Sequence, residues 1–217
     1  RLKRDIVDRW IDAAVAAGFS RNPDYNGENQ EGVGYFQLTL DKGRRCSSAA
    51  AYLKPIRSRQ NLTVITHAQA EKVIIREGRA KGIRVNIKGK TQDITARREV
   101  ILSAGAIGSP QILMLSGVGD AEALTRHGVN VRHNLPGVGK NLQDHLQARP
   151  IFKTDLSTIN TETNNFIKQG IIALQYALSQ TGPMTMAASL GAAFLKTNSR
   201  LETPDIQFHI QPFSATR

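Results

Sequence analysis

Apolar positions along the chain change period several times. Ile6, Val7, Trp10, Ile11, Ala14 and Val15 recur in pairs at i, i+4 and i+8, which predicts an amphipathic helix ended by Gly18. Asn22–Gly27 is turn chemistry, and Glu31–Leu40 is glycine-rich and then alternating, suited to a hairpin or to lying against a ligand. Ser47–Leu53 is expected to form a short helix ending at Pro55. From Leu62 to Ser103 the period becomes two. Val64–Thr66, Val73–Ile75, Ile83/Val85/Ile87 and Gln92–Thr95 read as strands of an antiparallel meander, with turns at Gly78, Gly82 and Lys88-Gly89-Lys90. Val100, Ile101 and Leu102 then form a continuous apolar run, the pattern of a strand buried on both faces, and Gly105 and Gly108 break it. With Ser109 as N-cap and Pro110 at the first helical position, a helix is expected over Gln111–Ser116, stopped by Gly117 and Gly119.

Ala121–His127 reads as a short helix ended by Gly128, and Leu135–Gly139 as a loop. Beyond His145 the composition shifts. Leu146–Lys153 and Ile206/Phe208/Ile210 alternate, Ser189–Lys196 is strand-like, and Phe166, Ile167, Gly170, Ile171, Leu174 and Leu178 mark an amphipathic helix. The fold class is therefore α/β (α+β), with a parallel-type strand fed by a meander and then a sheet with a helix on one side.

Strand, glycine turn and capped helix together make the place where α/β proteins seat a dinucleotide, because backbone without Cβ comes close to phosphate or ribose. Ser103, Ala104 and Gly105, small residues at the C-terminal end of the expected strand, are the best candidate contacts. An ordinary strand-to-helix crossover has the same pattern.

Composition narrows the function classes. The 217 residues are 40% hydrophobic and 6% aromatic, ordinary for a globular chain. The charge of +11 comes from 29 basic against 18 acidic residues. The densest basic groups, Arg44-Arg45, Lys54/Arg57/Arg59 and Arg97-Arg98, are not interleaved with stacking aromatics, so a nucleic-acid partner is not expected. Cys46 is the single cysteine, which excludes an intrachain disulfide and fits a reducing compartment. Gln169–Leu195 is uncharged, yet Gly182-Pro183 and several Gln and Thr residues interrupt it, so no transmembrane segment is expected.

Asp144-His145 is the most catalytic-looking pair, but sequence neighbours in an extended segment point to different faces. No serine sits in a G-x-S-x-G elbow, no histidines have metal spacing, and Gly137-Val138-Gly139-Lys140 lacks the rest of a phosphate loop. Gln207, His209 and Gln211 alternate with apolar residues, so one face of that strand either lines a pocket or is a solvated edge.

The run G-A-x-x-S-P-x-I-L-x-x-S-G-V-G at Gly105–Gly119 resembles the second signature of the glucose-methanol-choline (GMC) family of FAD-dependent alcohol oxidoreductases. Further landmarks resemble the family in its order: Q-E-G-V-G-Y at Gln30–Tyr35, G-R-R-C-S-S-A-A-A-Y-L at Gly43–Leu53, N-L-T-V at Asn61–Val64, L-P-G-V-G-K-N-L-Q-D-H-L at Leu135–Leu146, G-P-M-T-M at Gly182–Met186 and P-D-I-Q-F-H at Pro204–His209. The wording is most similar to bacterial choline-dehydrogenase-like members.

The resemblance implies part of a Rossmann-like FAD-binding domain over residues 1–145 and the start of a sheet-plus-helix substrate domain over residues 146–217. It implies FAD as cofactor, hydride transfer from an alcohol to flavin N5, and oxygen or a quinone as electron acceptor. It carries the adenine contact to the backbone of Ala70, cofactor contacts to Ser103, Ala104, Gly105 and Ser109, and a loop near the flavin to Asn141, Asp144 and His145. It also implies an internal piece of a longer chain, since the family's G-x-G-x-x-G fingerprint lies before Arg1 and its catalytic histidine beyond Arg217. No catalytic residue is therefore assigned here, and the 217-residue piece is expected to be poorly stable and inactive. Two other classes remain open: a family relative with lyase chemistry and a structural flavin, and a basic binding module unrelated to flavin.

Overall fold

In the computed structural model, which describes residues 3–214, helix α1 (Asp5–Ala16) is followed by β1 (Gly32–Tyr35) and the two-residue strands β2 (Leu40–Asp41) and β3 (Arg44–Arg45). Next come β4 (Ala68–Arg76), β5 (Arg79–Ile87), β6 (Lys90–Thr95), α2 (Gly105–Leu115), β7 (Val118–Gly119), α3 (Ala121–Arg126) and β8 (His133–Asn134). The single-turn α4 (Ile159–Glu162), α5 (Phe166–Ser179), β9 (Gly191–Leu195) and β10 (Ile206–Ile210) complete the order. Contacts gather these elements into two units. One takes the chain up to Arg59 and again from Arg149; the other is Gln60–Ala148.

The first unit is built on the expected stripe of α1. Val7 and Ile11 are buried and pack on Val33, Leu190, Ala193 and Leu195 of the antiparallel sheet β1-β9-β10. β9 is central and small because helix and sheet approach closely: a Cβ on Gly191 would stand 3.0 Å from Val7 Cγ1 and 2.7 Å from Ile210 Cγ2. Pairing of Ala193 with Phe208 and of Ala192 with His209 sends alternate residues of β10 to opposite faces.

The second unit is the expected meander, β4-β5-β6, followed by α2 and α3. Its two hairpins turn on Glu77-Gly78 (φ 51 and 70°) and Lys88-Gly89 (φ 51 and 84°), two-residue loops of the twist that matches strand twist. Asp120 caps α3 by accepting from the Ala123 N–H at 3.0 Å, and Gly128, at φ 69°, follows the helix as expected.

Several expectations change. Val64–Thr66 is not a strand, because His67 at φ 55° turns the backbone just before β4 begins. Gly82 is not a turn but lies inside β5, where a Cβ would come 2.2 Å from the Ile94 carbonyl oxygen. Val100–Leu102 has no ladder partner among the described residues, and Ile101 is 75% exposed; a strand of this type needs neighbours on both edges. Leu146–Lys153 likewise forms no strand among the described residues, with Leu146 and Phe152 in the open.

The helix expected to begin at Gln111 begins at Gly105 instead. Gly105 adopts φ 83°, which lets the chain turn directly into α2, and Ser109 caps from within by accepting the Ala104 N–H at 2.9 Å. Pro110 is thus an interior residue. The Ser47–Leu53 helix becomes a wide turn at Ala49–Leu53 that passes into a tight one at Lys54–Ile56, with Pro55 at its start where the missing N–H costs nothing.

Candidate functional site

One face of α2, with residues spaced as a helix requires, carries Ala104, Gly108, Gln111, Ile112 and Leu115. Opposite lies the β4 stretch Gln69, Ala70, Glu71 and Lys72, and between them is a slot of about 650 Å³, a size typical of small-molecule sites. The β4 wall is irregular at this point, because the register with β5 shifts between Ala70 and Lys72. Such a bulge re-aims backbone groups away from the ladder. The Ala70 carbonyl accepts from Gln69 Nε2 at 3.2 Å.

Ala70 and Ala104, far apart in sequence, therefore meet at one slot. Ser103 is exposed just before it, and Gly105 at the start of α2 has open space where a Cβ would stand. Ser109 is half-buried with its hydroxyl engaged by Ala104. Asn141 (φ 60°), Asp144 and His145 lie on an exposed segment outside the slot's lining, and the Asp144 carboxylate accepts the His145 N–H at 2.8 Å.

The slot's floor is apolar at Ile112 and Leu115, and its rim is polar and charged. Arg84 reaches the rim from β5 while its guanidinium forks onto the Asp93 carboxylate at 2.7 and 2.9 Å. The hydrogen bonds from Arg84 hold the Asp93 carboxyl below its ordinary range, and the same bonds raise Arg84. Lys72 has no ion-pair partner within 4.0 Å among the described residues, so it is the rim cation available to an anionic ligand. Gln69, Lys72, Arg84 and Gln111 were missed from sequence. Gln111 stands seven residues after Ala104, a helical repeat concealed by placing the helix start too late.

In the other unit, the sheet face turned away from α1 carries rings. Tyr25 lies 6.0 Å from Phe36 edge-on and 5.0 Å from Phe194, and Phe36 lies 5.1 Å from the imidazole of His209. Gln207 pairs with Phe194 and shares that face. The polar side of β10 is thus lined by aromatic neighbours as well as solvent. Among the described residues no helix is long and apolar enough to cross a membrane.

A family model described as GMC oxidoreductase matches residues 3–147. The chain is 40% identical over 214 residues to an oxygen-dependent choline dehydrogenase of Photobacterium profundum, covering 95% of this chain and 36% of that protein. It is also 40% identical over 206 residues to an alcohol dehydrogenase [acceptor] of Pseudomonas putida, covering 94% of this chain and 37% of the relative. The chain thus spans little more than a third of the length of these curated relatives. Among solved structures it resembles formate oxidase of Aspergillus oryzae (TM-score 0.77, 23% identity, 94% of this chain and 40% of that one). It also resembles a fungal aryl-alcohol oxidase (TM-score 0.74, 25% identity, 88% of this chain and 33% of that one).

Proposed function

The chain belongs to the GMC oxidoreductase family, and from that premise we propose that it supplies part of an FAD-dependent oxidoreductase acting on the CH–OH group of an alcohol, with choline the leading candidate. The observation that carries this reading is the slot itself, which brings Ala70 and Ala104 together from separate segments. The residues present fit the adenylate half of FAD. Ile112 and Leu115 offer an apolar bed for a flat base, and Gly108 and Ala104 keep the helix face low, since even a Cβ on Gly108 would meet the Ala104 Cβ at 3.0 Å. Lys72 at the rim suits a phosphate. Gly105, open at the start of α2, and the adjacent Ser103 leave room for a ribose.

FAD, if bound there, would supply the redox chemistry of alcohol oxidation. The chain's own residues bind and orient. Ala70, Ser103, Ala104 and Gly105 hold the adenylate half, Ser109 fixes Ala104, and the Asn141–His145 segment lies along the flavin side. The cofactor-binding part lies in the Gln60–Ala148 unit, and the β1-β9-β10 sheet, which joins Gly32–Tyr35 to strands beyond residue 146, begins the substrate-binding part, with Gln207 and His209 on its substrate-facing side.

The test is the visible absorbance of the protein that carries this chain, before and after anaerobic addition of a panel of alcohols including choline. Flavin bands that bleach with an alcohol are expected. Bands that no alcohol bleaches would contradict the alcohol reading, and colourless protein would contradict the cofactor.

A further inference from the structure

Just beyond one end of the slot, a single side chain ties α2 to β4. Ser116, the residue that ends α2, is 7% exposed. Its hydroxyl donates to the Ile112 carbonyl one turn back at 2.5 Å and accepts the backbone N–H of Val73 in β4 at 2.7 Å. The slot's lining on α2 stops at Leu115, one residue before Ser116, and its lining on β4 stops at Lys72, one residue before Val73. Past this bond a second hollow of about 640 Å³ opens along Lys72–Glu77, and there both Val73 and Ser116 form the wall. The Ser116–Val73 bond therefore ties α2 to β4 just beyond the slot's end, where Lys72, Arg84 and Leu115 line both spaces.

The end of α2 is also held from behind. Gly117 has φ 85°, and a Cβ on it would stand 2.3 Å from the Asn130 carbonyl oxygen. The Gly117 carbonyl accepts the N–H groups of Arg132 and His133 at 2.7 and 3.0 Å. With the helix end gripped in this way, the Ser116 hydroxyl fixes how far β4 stands from it.

We propose that Ser116 is a positioning residue for the nucleotide: its hydroxyl sets the separation of the Ala70 wall from the α2 face, and with it the fit of the adenylate half of FAD. This rests on the flavin reading above. Ser116 does not touch the ligand. Removing its hydroxyl leaves the Val73 N–H buried without an acceptor, which favours relaxation of β4 away from α2.

The experiment is ADP binding by calorimetry to the flavin-depleted protein that carries this chain, with amide exchange at Val73 followed by mass spectrometry. Ser116→Ala is expected to bind ADP roughly tenfold more weakly, as loss of one buried hydrogen-bond partner implies. Ser116→Thr, which keeps a hydroxyl able to bond the carbonyl one turn back, is expected to bind within about threefold of the unaltered chain. Leu124→Ala, which removes a buried side chain of the same unit that lines neither hollow, controls for lost stability and is expected to keep its ADP affinity. In the unaltered chain ADP is expected to slow exchange at Val73, which lies outside the slot, by more than at the Leu124 amide. This readout needs no variant to fold. Unchanged ADP affinity in Ser116→Ala, or Val73 exchange that follows Leu124, overturns the positioning role alone. Folded, flavin-depleted protein that binds neither ADP nor FAD overturns the flavin reading and this role with it.

Discussion

Arg4 and Glu162 meet although 158 positions separate them, and their contact shows how much one pair holds in place. The guanidinium donates to both carboxylate oxygens at 2.6 and 2.9 Å, the Ser157 hydroxyl adds a third bond at 3.0 Å, and the Arg4 side chain is only 10% exposed. The Arg4 hydrogen bonds hold the Glu162 carboxyl below its usual 4.5, outweighing the opposite effect of burial. A lowered folded-state value contributes stability that is complete above the unfolded value and lost as pH falls through the folded one. Melting of the unaltered chain is therefore expected to decline below about pH 4.5 more steeply than that of Glu162→Gln. At neutral pH that variant is expected to lose about 2 kcal/mol in urea unfolding, since it leaves a nearly buried guanidinium without its counter-charge. At Gly82 the constraint is steric: Gly82→Val is expected to cost about 2–3 kcal/mol and to loosen the β5–β6 pair, read as faster amide exchange in β6.

At the scale of elements, local patterns predicted what local forces decide. The α1 stripe, the period-two meander, the Gly128 stop after α3 and the course of α5 were legible because side-chain spacing and helix-end chemistry fix them. Elements that depend on partners were not. Val100–Leu102 has strand composition but no ladder among the described residues, and the start of α2 was hidden because Ser109 caps from inside the helix rather than ahead of it. Ala70 and Ala104 came from the family resemblance and the small-residue pattern, whereas Lys72, Arg84 and Gln111 required the facing walls of the slot. Two element-level outcomes follow. Lys88 and Glu77 adopt φ 51° in the hairpin loops, so Lys88→Asn and Glu77→Asn are each expected to stabilise the chain by roughly 0.5 kcal/mol in thermal or urea melts. On α5, Ile167, Ile171, Leu174 and Leu178 are 60–79% exposed in one stripe, so Leu174→Gln with Leu178→Gln is expected to leave the melting temperature of the chain unchanged.

For the whole molecule, each of the two units has its own three-stranded sheet, and the nucleotide reading rests on the unit formed by Gln60–Ala148. The charge of +11 favours encounter with a polyphosphate, so ADP affinity is expected to fall with added salt. The central claim is that the slot between α2 and β4 holds the adenylate half of FAD. It is tested most directly by equilibrium dialysis of FAD against the flavin-depleted protein that carries this chain, with ADP and riboflavin as competitors and Gly108→Val as the blocked slot. The account predicts that ADP displaces FAD, that riboflavin does not, and that Gly108→Val binds FAD at least roughly tenfold more weakly because its side chain fills the space beside Ala104. Displacement by riboflavin but not by ADP, or full affinity in Gly108→Val, would contradict it.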